Sequence, residues 1–144
     1  PARPDSVVVL QVDGGSGVLC LETDEATEHA PQIRSKLATY ERVLADRVGW
    51  HVVLVVPTAP RLAWLRRVGR SRLDGRVWGV ILGDLESAGL DAPVVPLSRS
   101  RQPRNLRSVL EDPHPRRSAA PVGSAAWIEL LGSGGGEELD EVLR

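Results

Sequence analysis

The continuous apolar run that leads from His51 into Pro57 limits the folds open to this chain more than any other segment. Val52 to Val56 are all aliphatic, without the alternation that is typical of a strand with one solvated face. A strand of this kind is buried on both faces, so its sheet needs a layer of helices on each side. The run therefore predicts the central strand of an α/β sheet.

The segments around this strand alternate between strand-like and helix-like hydrophobic patterns. The predicted elements are strands over residues 7–12 and 18–21, a helix from 27 to about 47, the central strand, a helix from 60 to about 73, and a strand over 77–82. Thr27 and Glu28 are expected to start and cap the first helix rather than to bind a ligand. The order β-β-α-β-α-β predicts a mixed sheet flanked by helices, with parallel pairing across each helical connection.

The chain has 144 residues, of which 42% are hydrophobic, as in ordinary soluble domains. We expect an α/β domain over residues 1–97. Residues 98–123 are rich in Pro and Arg and lack apolar periodicity, which predicts an irregular linker or loosely held arm. Residues 124–144 are expected to add a short element and an acidic tail. Because a strand-like segment begins almost at once and no Met precedes it, we also expect a fragment of a longer protein.

Residue content disfavours several classes of site. The single cysteine, Cys20, allows neither a disulfide framework nor a cysteine zinc cluster. The three histidines lack metal-ligand spacing, and no serine has the sequence context of a hydrolase nucleophile. No segment is long enough to span a bilayer, so we expect a cytoplasmic protein without membrane contacts. The formal charge of −1 means that any DNA binding must use local patches.

Three carboxylates are predicted to meet at one end of the first hairpin. If Gly14-Gly15 forms the turn, Asp5 lies opposite Asp24, and Glu22 shares their face of the sheet. Like charges at directly opposed positions are destabilising unless a cation neutralises them. Mg²⁺ or Mn²⁺ suits this role, since hard divalent cations favour carboxylate oxygens. The alternative is that these residues form the solvated polar end of a strand.

Lys36 is the only lysine in a chain that has 17 arginines. A compact ammonium can position a water or stabilise charge on a phosphate where a rigid, permanently charged guanidinium cannot. On a helical wheel Lys36 falls at the border of the apolar face that contains Ile33 and Tyr40, so it can lean toward the sheet. The alternative is a surface lysine whose stem lies along an apolar edge.

Four further residues are candidates for contacts with DNA phosphates. Arg66, Arg67 and Arg70 lie within about 100° of one another on the second predicted helix, where they would form a basic stripe. Tyr40 lies one turn after Lys36 and carries a hydroxyl that can bind a phosphate. The alternatives are an arginine face that is merely solvated and a core tyrosine with a wet tip.

These residues together resemble a known family. The segments are Pro4-Asp5, Leu21-Glu22-Thr23-Asp24 with Ala26-Thr27-Glu28, and Lys36-Leu37 with Tyr40 before a Val-rich strand. Over about residues 4–82 they are similar to the C-terminal domain of the actinobacterial replication-relaxation family, which itself is similar to PD-(D/E)xK nucleases. The resemblance implies a restriction-endonuclease-like fold in which Asp5 and Glu22 bind metal. The lysine that this pattern places two residues after Glu22 is Asp24 here, so the resemblance implies that Lys36 takes that role.

The sequence therefore predicts a DNA-binding domain that hydrolyses phosphodiester bonds with Mg²⁺, in plasmid replication, relaxation or transfer. Asp5, Glu22 and Asp24 would hold the metal, and Lys36 would orient the attacking water or neutralise developing charge. The expected partners are double-stranded or nicked plasmid DNA and other replication or transfer proteins. Two alternatives stay open: a catalytically degenerate nuclease fold that only binds DNA or a protein, and an unrelated α/β protein-interaction module.

Overall fold

The computed structural model describes residues 4–12, 15–47, 49–69, 76–97 and 103–111. The strands in this part are β1 (Ser6–Val12), β2 (Gly15–Thr23), β3 (Trp50–Val56), β4 (Val77–Ile81), β5 (Pro93–Pro96) and β6 (Arg104–Asn105). The helices are α1 (Ala30–Leu44), α2 (Ala59–Val68), α3 (Leu82–Ala88) and α4 (Leu106–Leu110), with a 3₁₀ turn over Gly89–Asp91.

The strands form one mixed sheet in the order β1-β2-β3-β4-β5-β6. β2, β3 and β4 are parallel, while β1, β5 and β6 pair antiparallel with their neighbours. α1 and α2 connect the parallel strands, as expected from the order of elements. β3 is the continuous apolar run, and all seven of its residues are buried. The predicted mixed α/β architecture and the central position of this strand are therefore confirmed.

Alternate residues of the strands pack into a separate core on each face of the sheet. On one face, Leu37 of α1 and Leu65 of α2 pack with β2 and β3. On the other face, Val109 of α4 packs with Trp78 and Val80 of β4. Because β2, β3 and β4 advance in one direction across the sheet, crossovers of the same hand place α1 and α2 on the same face. None of the helices in the described part is long and apolar enough to cross a membrane.

The turn of the first hairpin differs from the predicted one. Val12 pairs with Gly15, so Gly15 belongs to β2 and is not part of the turn. The connection therefore consists of residues 13 and 14, which lie outside the described residues. The register of β1 against β2 is consequently shifted by two residues from the one that a Gly14-Gly15 turn would give.

This shift changes the opposed pairs but not the faces. Val7 pairs with Cys20 instead of Glu22. The predicted pairing of Asp5 with Asp24 is also wrong, since Asp5 donates its backbone N–H to Leu21, next to Glu22. Because side chains alternate with a period of two, a shift of two residues keeps each of them on its predicted face.

Part of the segment that was predicted to be a loosely held arm packs on the domain. β6 pairs with β5, and α4 buries Leu106, Val109 and Leu110 in the core. The prediction is wrong for this stretch because five helical residues are too few for a hydrophobic period to be recognisable. The rest of residues 98–123, except Pro103 and Glu111, and all of 124–144 lie outside the described residues.

We predict that Leu110→Ala lowers the free energy of unfolding by about 2–5 kcal/mol, since it removes a fully buried side chain. Leu110 packs directly on β2, where a Cβ added to Gly17 would lie 2.9 Å from its Cδ2. Arg107→Ala, at an exposed position of the same helix, is the control and should cost less than about 1 kcal/mol. Urea unfolding followed by circular dichroism measures both. Equal effects of the two changes would contradict the packing of α4.

Candidate functional site

The carboxyl end of β2 brings together most of the residues that the sequence singles out. Glu22 is the last residue but one of β2, and Asp24 follows the strand directly. The loop of residues 24–29 then leads into α1, which returns Lys36 and Tyr40 across the same face. In open α/β sheets, ligand sites lie outside the carboxyl ends of the parallel strands.

Glu22 is the buried centre of this group. Its residue surface is only 3% exposed, on the face covered by α1. The hydroxyl of Tyr40 donates a short hydrogen bond to Oε1, and the ammonium of Lys36 donates to Oε2 at 3.0 Å. Burial of a carboxylate is costly unless donors surround it. Each oxygen of Glu22 has such a donor, so the side chain is held in one orientation.

Lys36 joins Glu22 to a second carboxylate. Its Nζ lies 2.7 Å from Oε1 of Glu28 as well as 3.0 Å from Oε2 of Glu22. As expected from its place at the border of the apolar face, its side chain leans toward the sheet and is 22% exposed. Glu28, which was expected to cap the helix, lies before it instead, because α1 begins only at Ala30 with His29 as its N-cap.

Asp5 lies directly before β1, beside the end of β2 that carries Glu22. Its backbone N–H donates to the carbonyl of Leu21 at 3.0 Å, and its Oδ2 accepts from the backbone N–H of Thr23 at 2.6 Å. These contacts are made to the residues on either side of Glu22. The two carboxylates are close enough for the charge of Asp5 to raise the pKa of Glu22. Lys36 thus contacts Glu22 directly, and Asp5 binds the backbone of the two residues that flank Glu22.

The pKa values of this group reflect burial and mutual contacts. Burial raises the pKa of Glu22 above its usual 4.5, and the hydrogen bonds from Tyr40 and Lys36 oppose this without overcoming it. Burial acts to lower the pKa of Lys36, but the hydrogen bonds and charges of Glu28 and Glu22 outweigh it and the pKa is raised. Burial and the contact with Glu22 raise the pKa of Tyr40, so its hydroxyl keeps its proton and remains a donor.

Asp24 forms a buried ion pair with Arg61 instead of joining the other carboxylates. Asp24 is 2% exposed, and both of its oxygens accept from the guanidinium, Oδ2 from Nε at 2.6 Å and Oδ1 from Nη2 at 3.0 Å. A guanidinium and a carboxylate in this forked arrangement are strongly bound and mutually neutralised. Asp24 therefore acts as the anchor of Arg61, and its predicted role as a metal ligand is not supported.

Arg61 also holds the loop that carries Glu28. Its Nη2 donates to the backbone carbonyl of Glu28 at 2.7 Å, and its guanidinium lies 3.9 Å from the ring centroid of Trp64. Within the loop, Asp24 accepts from the backbone N–H of Ala26, which has a φ of 64°. A positive φ is unfavourable for alanine and persists only where the surroundings enforce it. Arg61 and Asp24 provide that enforcement.

An open depression of about 420 Å³ borders the group and is lined by Asp5, Thr23, Glu25, Thr27 and Glu28. Three of these five residues carry carboxylates. Oε2 of Glu28 is buried and accepts no hydrogen bond within the described part of the chain. A buried oxygen without a donor is an indication of a missing water or cation. The depression is therefore better suited to a cation than to an anion.

Of the four predicted phosphate-contacting residues, Tyr40 does not share a surface with Arg66 and Arg67. Tyr40 is completely buried and its hydroxyl is engaged by Glu22, so it belongs to the core and to the site's support. Arg66 and Arg67 are exposed on α2, where Arg66 donates to the carbonyl of Pro96 at 3.3 Å. Arg70 lies outside the described residues. The basic stripe is thus described only for its first two members.

Sequence reasoning missed Arg61 and Glu28 as parts of the site. For Arg61 a signal existed, because it lies just after Pro60 in the first turn of α2, and first turns that follow parallel strands face the carboxyl edge of the sheet. For Glu28 the misleading signal was its position before a helix, where acidic residues are common. Only the true start of α1 distinguishes a capping residue from a loop residue.

The carboxylates of this site suit a divalent cation only if the protein supplies one or two of its ligands. Among the described residues, no group of three or more His, Cys, Asp and Glu is arranged to hold a metal ion. Mg²⁺, however, is commonly bound by one or two carboxylates and completes its shell with waters and substrate phosphates. Asp5 and Glu28 line one depression, and Oε2 of Glu28 accepts no hydrogen bond from the described residues, so two carboxylates are available there for such binding. Asp24 is not needed as a ligand.

Comparisons of the chain with protein-family models, with curated proteins and with solved structures found no match. The resemblance to the replication-relaxation family and to PD-(D/E)xK nucleases therefore stays a prediction. What the site can do has to be argued from its own geometry.

We predict that Arg61→Ala lowers the free energy of unfolding by about 3–5 kcal/mol, because it leaves the buried carboxylate of Asp24 without its counter-charge. Arg67→Ala, at an exposed position of the same helix, is the matched control and should change it by less than about 0.5 kcal/mol. Adding Asp24→Asn to Arg61→Ala should recover part of the loss, since the uncompensated charge disappears. Additive losses in the double variant, measured by urea unfolding, would disprove the coupling.

A second prediction concerns the pH dependence of stability. Because the pKa of Glu22 is raised in the folded state, the native protein holds more protons than the unfolded chain just above pH 4.5, and stability falls as the pH rises through this window. Glu22→Gln removes that contribution. The variant should therefore become more stable relative to the wild type between acidic and neutral pH. Urea unfolding at a series of pH values measures this trend, with Glu86→Gln on the exposed face of α3 as the control. Parallel curves for the wild type and Glu22→Gln would refute the assignment.

Proposed function

We propose that this chain is a nuclease-like domain that binds DNA and hydrolyses phosphodiester bonds with Mg²⁺ or Mn²⁺, in the replication, relaxation or transfer of a plasmid. The observation that supports this most is the meeting of Asp5, Glu22 and Lys36 at the carboxyl end of β2. Two carboxylates and a lysine are the set that the resemblance to PD-(D/E)xK nucleases implies. The assignment of the mixed sheet to a restriction-endonuclease-like fold is part of the same proposal.

Each residue of the set has a distinct role in this proposal. Asp5 and Glu22 hold the cation, which when bound supplies Lewis acidity toward a phosphate oxygen and toward a water. Lys36 orients the attacking water or donates an N–H to the phosphate, where negative charge develops in the transition state. Its raised pKa keeps it protonated at neutral pH, so it acts as an electrostatic donor and not as a base.

Tyr40 orients Glu22 from the core side and does not contact a phosphate. Its hydroxyl donates to Oε1 of Glu22 and thereby fixes the plane of that carboxylate. With Oε1 turned into the core, Oε2 is the oxygen that faces Lys36. A ligand that is oriented by a buried donor loses less entropy when it binds a cation, which is the usual effect of such supporting contacts.

The charge of the depression makes a cation necessary for any phosphate there. Asp5, Glu25 and Glu28 line it, and no basic residue among those described does so. A phosphodiester would be repelled by these carboxylates unless the cation proposed at Asp5 and Glu22 were bound beside them. DNA contacts that do not depend on the cation have to come from elsewhere, and the exposed Arg66 and Arg67 of α2 are suitable for them.

A second candidate function is that of a catalytically degenerate nuclease fold that only binds DNA or a replication protein. The observation in its favour is that the buried carboxylates already have partners, Glu22 in Tyr40 and Lys36, and Asp24 in Arg61. Such a cluster is stable without a metal. In that case binding depends on exposed arginines and not on Glu22.

The two candidates differ in what Mg²⁺ does. We expect the protein to nick or cleave supercoiled or single-stranded DNA when Mg²⁺ or Mn²⁺ is added, and to lose this activity in EDTA. Glu22→Gln and Lys36→Met should each lower the rate by about 10²-fold or more, since they remove a cation ligand and a transition-state donor. Gel assays over a titration of each cation measure these rates.

Glu86→Gln on the exposed part of α3 is the matched control, because it makes the same chemical change away from β2. Its rate should equal that of the wild type. DNA binding that survives both EDTA and Glu22→Gln, with a steep salt dependence and no cleavage under any condition, would instead establish the binding module.

A further inference from the structure

β1 forms an edge of the sheet that no described strand covers. It pairs with β2 on one side and is the terminal strand of the order. All seven of its residues, Ser6–Val12, take part in the ladder with β2. The other side of the strand therefore presents a row of backbone donors and acceptors that is open within the described part of the chain.

The residues of β1 lack the features that usually prevent edge strands from pairing. The sequence Ser-Val-Val-Val-Leu-Gln-Val contains no charge and no proline. Val7 and Val9 are only partly buried against the α1 face, and Val8 is only partly buried against the opposite face. Natural proteins normally place lysines, prolines or bulges on such an edge, and a long apolar edge without them is a template for another strand.

We propose that β1 is an interface between two copies of this chain, which pair antiparallel through their β1 strands about a twofold axis at Val9. This register pairs all seven residues, with Val9 opposite Val9 and Ser6 opposite Val12 of the other copy. Because the strand carries no charge, no like charges are opposed anywhere along it. A twofold contact of this kind is self-complementary and closes at two copies.

The pairing would join two six-stranded sheets into one continuous sheet. It would also bring together the half-buried valines of both copies on each face, which adds apolar contact to the backbone hydrogen bonds. An interface that is limited to one strand from each copy is small, so the dimer should be weak and depend on protein concentration. The inference does not rest on the proposed nuclease activity.

The test exploits the pairing of Val9 with its own counterpart. Sedimentation velocity over the micromolar range should show the wild type passing from monomer to dimer. Val9→Lys and Val9→Glu should each stay monomeric, because each opposes two like charges at the axis. An equimolar mixture of the two variants should recover the dimer, since a lysine then faces a glutamate. Ala38→Lys, at an exposed position of α1, is the charge control and should dimerise like the wild type.

Hydrogen exchange of the wild type provides a second measurement that needs no variant. About half of the β1 amides point to the open edge, and these should exchange more slowly as the protein concentration rises. A wild type that stays monomeric, whether because another segment covers β1 or for any other reason, overturns the proposal. So does a mixture of variants that fails to associate while circular dichroism shows both to be folded.

Discussion

The burial of one carboxylate, that of Glu22, is the constraint on which the rest of the site depends. A charge at 3% exposure is tolerated only if both oxygens receive hydrogen bonds. One helix supplies both donors, because Lys36 and Tyr40 lie four residues apart and therefore on one side of α1. The rotation of α1 about its axis is fixed by this requirement as well as by its apolar face. The inward direction of the lysine follows from the same cause.

Two buried acids at the carboxyl end of β2 each pair with a different helix. Glu22 accepts hydrogen bonds from Lys36 and Tyr40 of α1, and Asp24 accepts them from Arg61 of α2. This arrangement follows from parallel strands with helical crossovers, since each helix starts at the edge where its preceding strand ends. An acid at that edge can pair with a base in the first two turns of either helix. The two ion pairs thus fix both α1 and α2 to the carboxyl end of β2.

The sequence was a good guide to elements with strong patterns and a poor guide to single contacts. The unbroken apolar run predicted β3 as a central strand, and helical spacing predicted α1 and α2. The hairpin register was off by two residues, because two adjacent glycines offer more than one place for the turn. Asp24 was assigned to the metal since nothing local reveals a partner 37 residues away. α4 was not predicted because five residues are too few to show a helical hydrophobic period.

The contact between Asp24 and Arg61 has a consequence for the order in which the site assembles. Lys36 reaches Glu22 across 14 residues of sequence, whereas Arg61 reaches Asp24 across 37. Closing the longer loop costs more chain entropy, so this contact is expected to form after the contact between Lys36 and Glu22 during folding. Without this contact the turn at Ala26 lacks its support, and the loop is held only by the ion pair of Glu28 with Lys36. The acidic loop should therefore take its final shape only after β2 and α1 have come together.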